Sequence, residues 1–121
     1  MNWQFSNDAP IYAQLIRQIR AGIVSGAFSP GERLPSVRDL AMEAGVNPNT
    51  MQRALAELER TGLVYTQRTA GRFVTEDAAV VDSAKQELAH QQIGAFLHRM
   101  ERMGYDREQT AQLVRSWEED A

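Results

Sequence analysis

Residues 29–74 constrain the fold of this 121-residue chain more than any other stretch. Two short helical segments separated by a tight turn are followed there by an alternating stretch that is typical of a hairpin. Ser36 begins the first helix, because its hydroxyl can accept from the amide of Asp39 while the Asp39 carboxylate reaches back, as in a capping box. Gly45 tolerates a left-handed backbone and ends this helix. The pattern predicts a helix-turn-helix.

The second helix of the pair presents a polar outer stripe. It begins at Asn47, a strong N-cap, with Pro48 at the first helical position. Its apolar residues recur at helical spacing and are expected to face the core: Met51, Ala54, Leu55 and Leu58. The outer stripe consists of Asn49, Gln52, Arg53 and Ala56. Since amides can pair with adenine and arginine with guanine or phosphate, the stripe suits a major groove, while Asn47 and Thr50 suit a neighbouring phosphate.

A short basic hairpin is predicted after the second helix. Gly62 ends that helix, and residues 63–68 and 71–75 alternate as two strands. Arg68 and Arg72 flank the tip of the hairpin, from which a basic ribbon can reach backbone phosphates or a narrow minor groove. Such a hairpin behind a helix-turn-helix is called a wing.

Four consecutive segments resemble the N-terminal domain of GntR-type bacterial transcription regulators in order and spacing. They are residues 30–41 (PGERLPSVRDLA), 46–50 (VNPNT), 58–63 (LERTGL) and 71–74 (GRFV). The opening at residues 10–12 (PIY) and the short helical tail are further similar to the YtrA-like branch, whose small C-terminal region is a dimerisation device. The resemblance implies a DNA-binding regulator that acts as a homodimer.

The resemblance also indicates which residues contact DNA. The positions that touch DNA in the family are occupied here by Arg38, Asn47, Asn49, Thr50, Gln52 and Gly71. The charge or placement of five further residues adds Arg33, Ser36, Arg53, Arg68 and Arg72. The wing tip departs from the family, which usually has a second glycine where this chain has Thr69.

Each of these residues also has an ordinary structural interpretation. Arg38 could be a surface arginine paired with Asp39 or Glu43. Asn49 and Gln52 could be neutral polar residues on an exposed helix. Position and family resemblance favour DNA contact for Arg38, whereas the residues alone leave both interpretations of the two amides open.

The net charge of −3 is unevenly distributed along the chain. Residues 1–76 carry eight arginines against seven acids, a net of +1, and residues 77–121 carry five bases against nine acids, a net of −4. Because a local patch sets the attraction to phosphates, this distribution is compatible with DNA binding by one end. The absence of cysteine excludes disulfides and thiolate chemistry. No export signal and no membrane-length apolar run is present, which favours a cytoplasmic protein without a membrane partner.

The chain is expected to divide into a winged helix-turn-helix DNA-binding domain, 1–76, and a helical tail, 77–121. In the first domain, Pro10 opens an additional helix whose apolar side packs across the other two. The tail is predicted to form a long helix over residues 78–103 and a last helix capped by Asp106.

The tail carries more apolar surface than two short helices can bury by themselves. Its large apolar residues include Val81, Leu88, Phe96, Met100, Leu113, Val114 and Trp117. They could fold back on the first domain of the same chain, but the length of the stripe favours a second subunit. The tail is therefore predicted to be a dimerisation device.

Two carboxylate–histidine pairs in the tail have a spacing that can bind metal, Glu87 with His90 and His98 with Glu101. All four lie away from the apolar stripe, which favours solvated residues over a metal site. No catalytic constellation and no phosphate-binding glycine loop is present, so neither an enzyme nor a cofactor is expected.

The sequence therefore predicts a mostly α fold with one small β-hairpin, organised as a winged helix-turn-helix head with a short two-helix C-terminal dimerisation tail. The predicted function is a transcription regulator, favoured as a repressor, that binds a palindromic operator in double-stranded DNA as a homodimer. One alternative is a winged-helix protein-interaction module, since the fold alone does not establish DNA binding. Another is a ligand or metal sensor with its site in the tail. The sequence is silent on a small-molecule effector.

Overall fold

The computed structural model describes residues 1–119, and this part of the chain contains five helices and one two-stranded antiparallel sheet. The elements are α1 (Ile11–Val24), α2 (Val37–Ala44), α3 (Pro48–Arg60), β1 (Val64–Gln67), β2 (Gly71–Val74), α4 (Ala78–Arg102) and α5 (Arg107–Ser116). The prediction of a mostly helical fold with one small hairpin is confirmed. Among the described residues, no helix combines the length and the apolar character that crossing a bilayer requires.

Two compact units make up the chain, a head unit, Met1–Lys85, and a tail unit, Gln86–Ala121. The division falls inside α4, beyond the position that the sequence suggested. Val80, Val81 and Ala84 on the first turns of α4 pack against the core of the head unit. These turns therefore belong to the head, although the helix runs on into the tail.

The core of the head unit forms around the inner face of α3. The predicted inward residues of α3 are all buried, and the α1 residues Leu15, Ile19 and Ile23 are buried with them. From the other elements, the same cluster contains Leu34, Leu40, Ala41, Leu63, Val64 and Val74. Burying each large apolar side chain contributes roughly 1.5–3 kcal/mol, so this cluster sets the stability of the head.

The helix ends follow the predicted capping with one difference. The Ser36 hydroxyl accepts from the Asp39 amide at 3.1 Å, but the return bond from Asp39 is not among the hydrogen bonds of the described residues, so Ser36 caps α2 alone. Gly45 ends α2 with φ 72°, and the Asn47 side chain caps α3 by accepting from the Asn49 amide at 2.8 Å. Local chemistry thus separates α2 from α3 as the sequence indicated.

The hairpin is longer on one side than the sequence revealed. Arg33 forms a β-bridge with Phe73, and the Leu34 amide donates to the Arg72 carbonyl at 2.9 Å, so the segment before α2 extends the sheet. At the tip, the Ala70 amide donates to the Gln67 carbonyl at 3.0 Å, and Thr69 needs no positive φ. The turn therefore closes without a second glycine at its tip.

The tail unit contains the predicted capping box and little buried surface. Gly104 has a φ of 99° and follows the end of α4. Asp106 and Gln109 exchange both side chain to backbone hydrogen bonds, at 2.8 and 2.9 Å, and so begin α5. No residue of α4 is buried, and Thr110 is the buried residue of α5. Large apolar side chains of this unit, among them Leu113, Val114 and Trp117, are exposed, whereas Leu88, Phe96, Leu97 and Met100 are half-buried.

A truncation series tests the contribution of α4 to the head unit. A chain that ends at Lys85 keeps Val80 and Val81 on the core, whereas a chain that ends at Glu76 lacks both. We expect the shorter chain to lose about 2 to 4 kcal/mol of unfolding free energy, because it exposes the apolar surface that those side chains cover. Urea unfolding followed by circular dichroism measures the difference. Equal stability of the two chains would contradict this role of α4.

Candidate nucleic-acid interface

The outer stripe of α3 lies where the sequence placed it. Asn49, Gln52, Arg53 and Ala56 are exposed, and Thr50 is half-buried beside them. Because the opposite face of α3 is locked into the core, the direction of this stripe is set by packing rather than by the stripe itself. The polar groups that can read base edges are thus held on a rigid helix.

A cleft of about 260 Å³ brings the start of α2 and the wing together. Its lining includes Arg33, Ser36, Arg68, Gly71 and Arg72. Gly71 has a φ of 112°, and a Cβ there would lie 3.1 Å from Arg33 Nε. Glycine at this position therefore allows both the turn of the hairpin and the close approach of Arg33. Two segments that are distant in sequence, one before α2 and one in the wing, therefore share one basic surface.

Arg38 does not form the ion pair that its ordinary interpretation requires. It is exposed, and it forms no salt bridge within residues 1–119. Glu43, one of the two acids considered for it, accepts instead from the Met1 amine at 2.9 Å and from the Trp3 indole at 3.2 Å. These hydrogen bonds lower the pKa of the Glu43 carboxyl, which stays charged and engaged. The guanidinium of Arg38 is therefore exposed and unpaired within residues 1–119.

Arg53 stacks on a side chain of α1, the ring of Tyr12. Its guanidinium carbon lies 4.5 Å from the centroid of the Tyr12 ring, in a cation–π contact. No spacing in the sequence indicates this pair, since the two residues are far apart in the chain. Tyr12 is half-buried against the core, so it holds Arg53 at the edge of the outer stripe.

Arg72 lies elsewhere than the sequence suggested. It lines the same cleft as Arg68, but its side chain is only 18% exposed and lies against α3, with Nε 4.0 Å from Glu59 Oε1. Its Nη1 donates to Gln52 Oε1 at 3.3 Å. Strand alternation explains the difference, because Arg72 is the register partner of Thr66, which also bonds Glu59. Arg68 is in the loop and is exposed.

The C-terminal half of α3 is neutralised by its own ion pair. Arg60 donates to both carboxylate oxygens of Glu57, at 2.9 and 2.5 Å. This contact lowers the pKa of Glu57 and raises that of Arg60. The free positive charge of α3 is therefore concentrated in its N-terminal half, near Arg53.

The two carboxylate–histidine pairs of the tail are exposed. Within the described part of the chain, no three His, Cys, Asp or Glu side chains come together as a metal site would require. Glu87, His90, His98 and Glu101 lie open to solvent on α4. Their positions therefore give no support to a metal sensor.

Comparison with known proteins places this surface in context. The sequence pattern of the family described as "Bacterial regulatory proteins, gntR family" matches residues 11–74. The uncharacterised HTH-type transcriptional regulator YhcF of Bacillus subtilis is 38% identical over 119 residues, which are 98% of each chain. The HTH-type transcriptional repressor YtrA of the same organism is 43% identical over 72 residues, 60% of this chain and 55% of YtrA.

A solved structure of a DNA complex is also similar to this chain. It is the DNA-binding domain of AraR in complex with operator ORX1, which superposes with a TM-score of 0.56 at 28% identity. The similarity covers 62% of this chain and 96% of the AraR chain. The family and the winged helix-turn-helix that the sequence predicted are confirmed.

Substitution of single arginines tests the placement of this surface. Arg38→Ala and Arg53→Ala are each expected to weaken DNA binding by about 1 to 3 kcal/mol, as for the loss of a good contact, without changing the fold. Arg60→Ala is the matched control, because it removes an arginine of α3 that Glu57 already neutralises. Fluorescence anisotropy on a duplex selected by the wild-type protein measures the affinities. Wild-type binding by both variants would contradict the placement.

Proposed function

This chain belongs to the GntR family of bacterial regulatory proteins, and we propose that it is a transcription repressor that binds a palindromic operator as a homodimer. Family membership makes it a DNA-binding transcription regulator and not an enzyme. The similarity to YtrA, a repressor, supports repression and the YtrA-like branch. We place its action in the cytoplasm, where bacterial DNA lies.

The observation that carries the proposed dimer is the apolar surface of the tail unit. Phe96, Met100, Leu113, Val114 and Trp117 line a cleft of about 660 Å³. Leu113 is 43% exposed, Val114 56% and Trp117 70%. Covering each large apolar side chain contributes roughly 1.5–3 kcal/mol, and a second copy supplies a complementary surface by symmetry. The C-terminal helices therefore suit subunit association.

Dimerisation would allow a small head to bind DNA tightly. Two heads related by a two-fold axis place their α3 helices on successive half-sites of a palindrome. After one head binds, the second contact becomes effectively intramolecular, which raises affinity by about 100-fold or more. The exposed amides Asn49 and Gln52 would read base edges, while Arg33, Arg38 and Arg68 would contact phosphates. Thr50 and Asn47 lie at the positive end of α3.

The character of the outer stripe disfavours a winged-helix protein-interaction module. An apolar or acidic outer stripe would favour such a module, whereas α3 presents Asn49, Gln52 and Arg53. The exposed arginines Arg38 and Arg68 add positive charge without ion-pair partners in the part of the chain that the structure describes. Anionic DNA fits this surface better than a protein does.

Substitutions in the tail test the homodimer. We expect the wild-type chain to sediment as a dimer and Leu113→Glu to sediment as a monomer, because a buried carboxylate would oppose association. The affinity of the variant for a palindrome is expected to fall by about 100-fold, to that of one half-site. Met42→Glu is the matched control, since Met42 is 71% exposed but lies on the head unit. A monomeric wild-type chain that binds the palindrome at full strength would refute the dimer.

The salt dependence of binding tests the phosphate contacts. Each head has four exposed arginines on this surface, Arg33, Arg38, Arg53 and Arg68, because Arg72 lies against α3. A dimer could therefore neutralise up to about eight phosphates, and the slope of log affinity against log salt would approach about −7. Anisotropy titrations between low and moderate salt give the slope. A flat dependence would favour the protein-interaction alternative.

A further inference from the structure

A side chain of the wing touches a side chain of the base-reading stripe. Arg72 Nη1 donates to Gln52 Oε1 at 3.3 Å, across twenty residues of sequence. Gln52 is exposed on the outer stripe of α3, whereas the Arg72 side chain is 18% exposed. Arg72 therefore lies behind the amide of Gln52 rather than at the tip of the wing.

The guanidinium of Arg72 lies between two side chains of α3, one of which it hydrogen-bonds and one of which lies at the limit of an ion pair. Gln52 and Glu59 are seven residues apart on α3, two helical turns along one face, and Arg72 contacts both. Glu59 Oε1 lies 4.0 Å from Arg72 Nε and also accepts from the Thr66 hydroxyl. Thr66 is in turn the register partner of Arg72 in the hairpin. Two strands and one helix thus determine where the guanidinium sits.

The chemistry of the contact determines which way the Gln52 amide faces. A guanidinium has only donors, so Gln52 must turn its oxygen toward Arg72. The Nε2 group, with two N–H donors, is then directed away from Arg72. A free amide offers one donor and one acceptor, the pair that adenine N7 and N6 require. Guanine instead presents two acceptors, N7 and O6, which match an amide that offers its donors.

We propose that Arg72 is a specificity-determining residue of the operator complex, which orients Gln52 so that it reads guanine in preference to adenine. Arg72 itself is a positioning residue and makes no base contact in this scheme. The inference rests on the proposed function, since it requires that α3 reads the operator.

Selection of duplexes from a random library tests the proposal on the full-length chain. The wild-type protein is expected to enrich guanine at one position of each half-site, and Gln52→Ala identifies that position by losing its preference. Arg72→Met keeps the length and apolar stem of the side chain but removes the guanidinium. We expect this variant to lose the guanine preference at that position by about tenfold, with a shift toward adenine.

Arg68→Met is the matched control, because it removes a wing arginine that has no contact with Gln52. It is expected to weaken binding to all sequences and leave every base preference unchanged, as for a phosphate contact. Glu59→Gln provides a second test that keeps Arg72 and nearly the same side-chain shape. It removes the negative charge that lies 4.0 Å from Arg72 Nε and is expected to change the same base position in the same direction.

The possible outcomes separate this inference from the proposed function. If the wild-type chain enriches no sequence, the proposed operator binding fails. If it enriches an operator in which the position lost in Gln52→Ala is adenine, the orientation assigned to Gln52 is wrong. If Arg72→Met and Glu59→Gln both keep the wild-type preference at that position, Arg72 has no role in specificity. Double substitution of Arg72 and Gln52 is expected to match Gln52→Ala alone at that position.

Discussion

The buried inner face of α3 is the constraint on which the rest of the molecule depends. Met51, Ala54, Leu55 and Leu58 are at most 1% exposed, and α1, α2 and the hairpin all contribute residues to the cluster around them. A helix with one face locked has no freedom in the other, because its residues are related by a fixed rotation. Packing of the core therefore sets the direction in which Gln52 and Arg53 leave the helix.

The surrounding elements refine the outer face of α3 without covering it. Tyr12 of α1 supports Arg53 through its ring, and Arg72 of the wing contacts Gln52. Both supporting residues are partly buried, whereas the residues that they support are exposed. Groups that lose little entropy on binding discriminate better than mobile ones, so such contacts favour recognition. The wing thus contacts a side chain of the outer stripe of α3 in addition to forming its own basic surface.

The head and tail units differ in how far they bury their apolar residues. The head buries a full cluster within one chain, whereas no residue of α4 is buried and Trp117 is 70% exposed. Surface-to-volume scaling explains this difference, since two helices alone cannot enclose a core. The same limitation that leaves the tail incomplete makes it suitable for association, and the dimer that we propose would use it.

Sequence alone determined the elements whose signals are local. The caps Ser36 and Asn47, the left-handed Gly45 and the inward residues of α3 follow from hydrogen-bonding chemistry and helical period, which act over a few residues. The exposed stripe of α3 followed from the same helical period. The family resemblance indicated that this stripe contacts DNA. These parts of the fold and of the candidate site could be predicted because nothing distant was needed to form them.

Only the tertiary structure decided the contacts between distant segments. The bridge of Arg33 to the hairpin, the stacking of Arg53 on Tyr12 and the folding of Arg72 onto α3 each join residues well separated in the chain. No local pattern encodes them, because they depend on how the helices and strands pack. The first turns of α4 joined the head for the same reason. The sequence determined which groups face outward, and packing decided which of them contact a neighbouring side chain and which remain free at the surface.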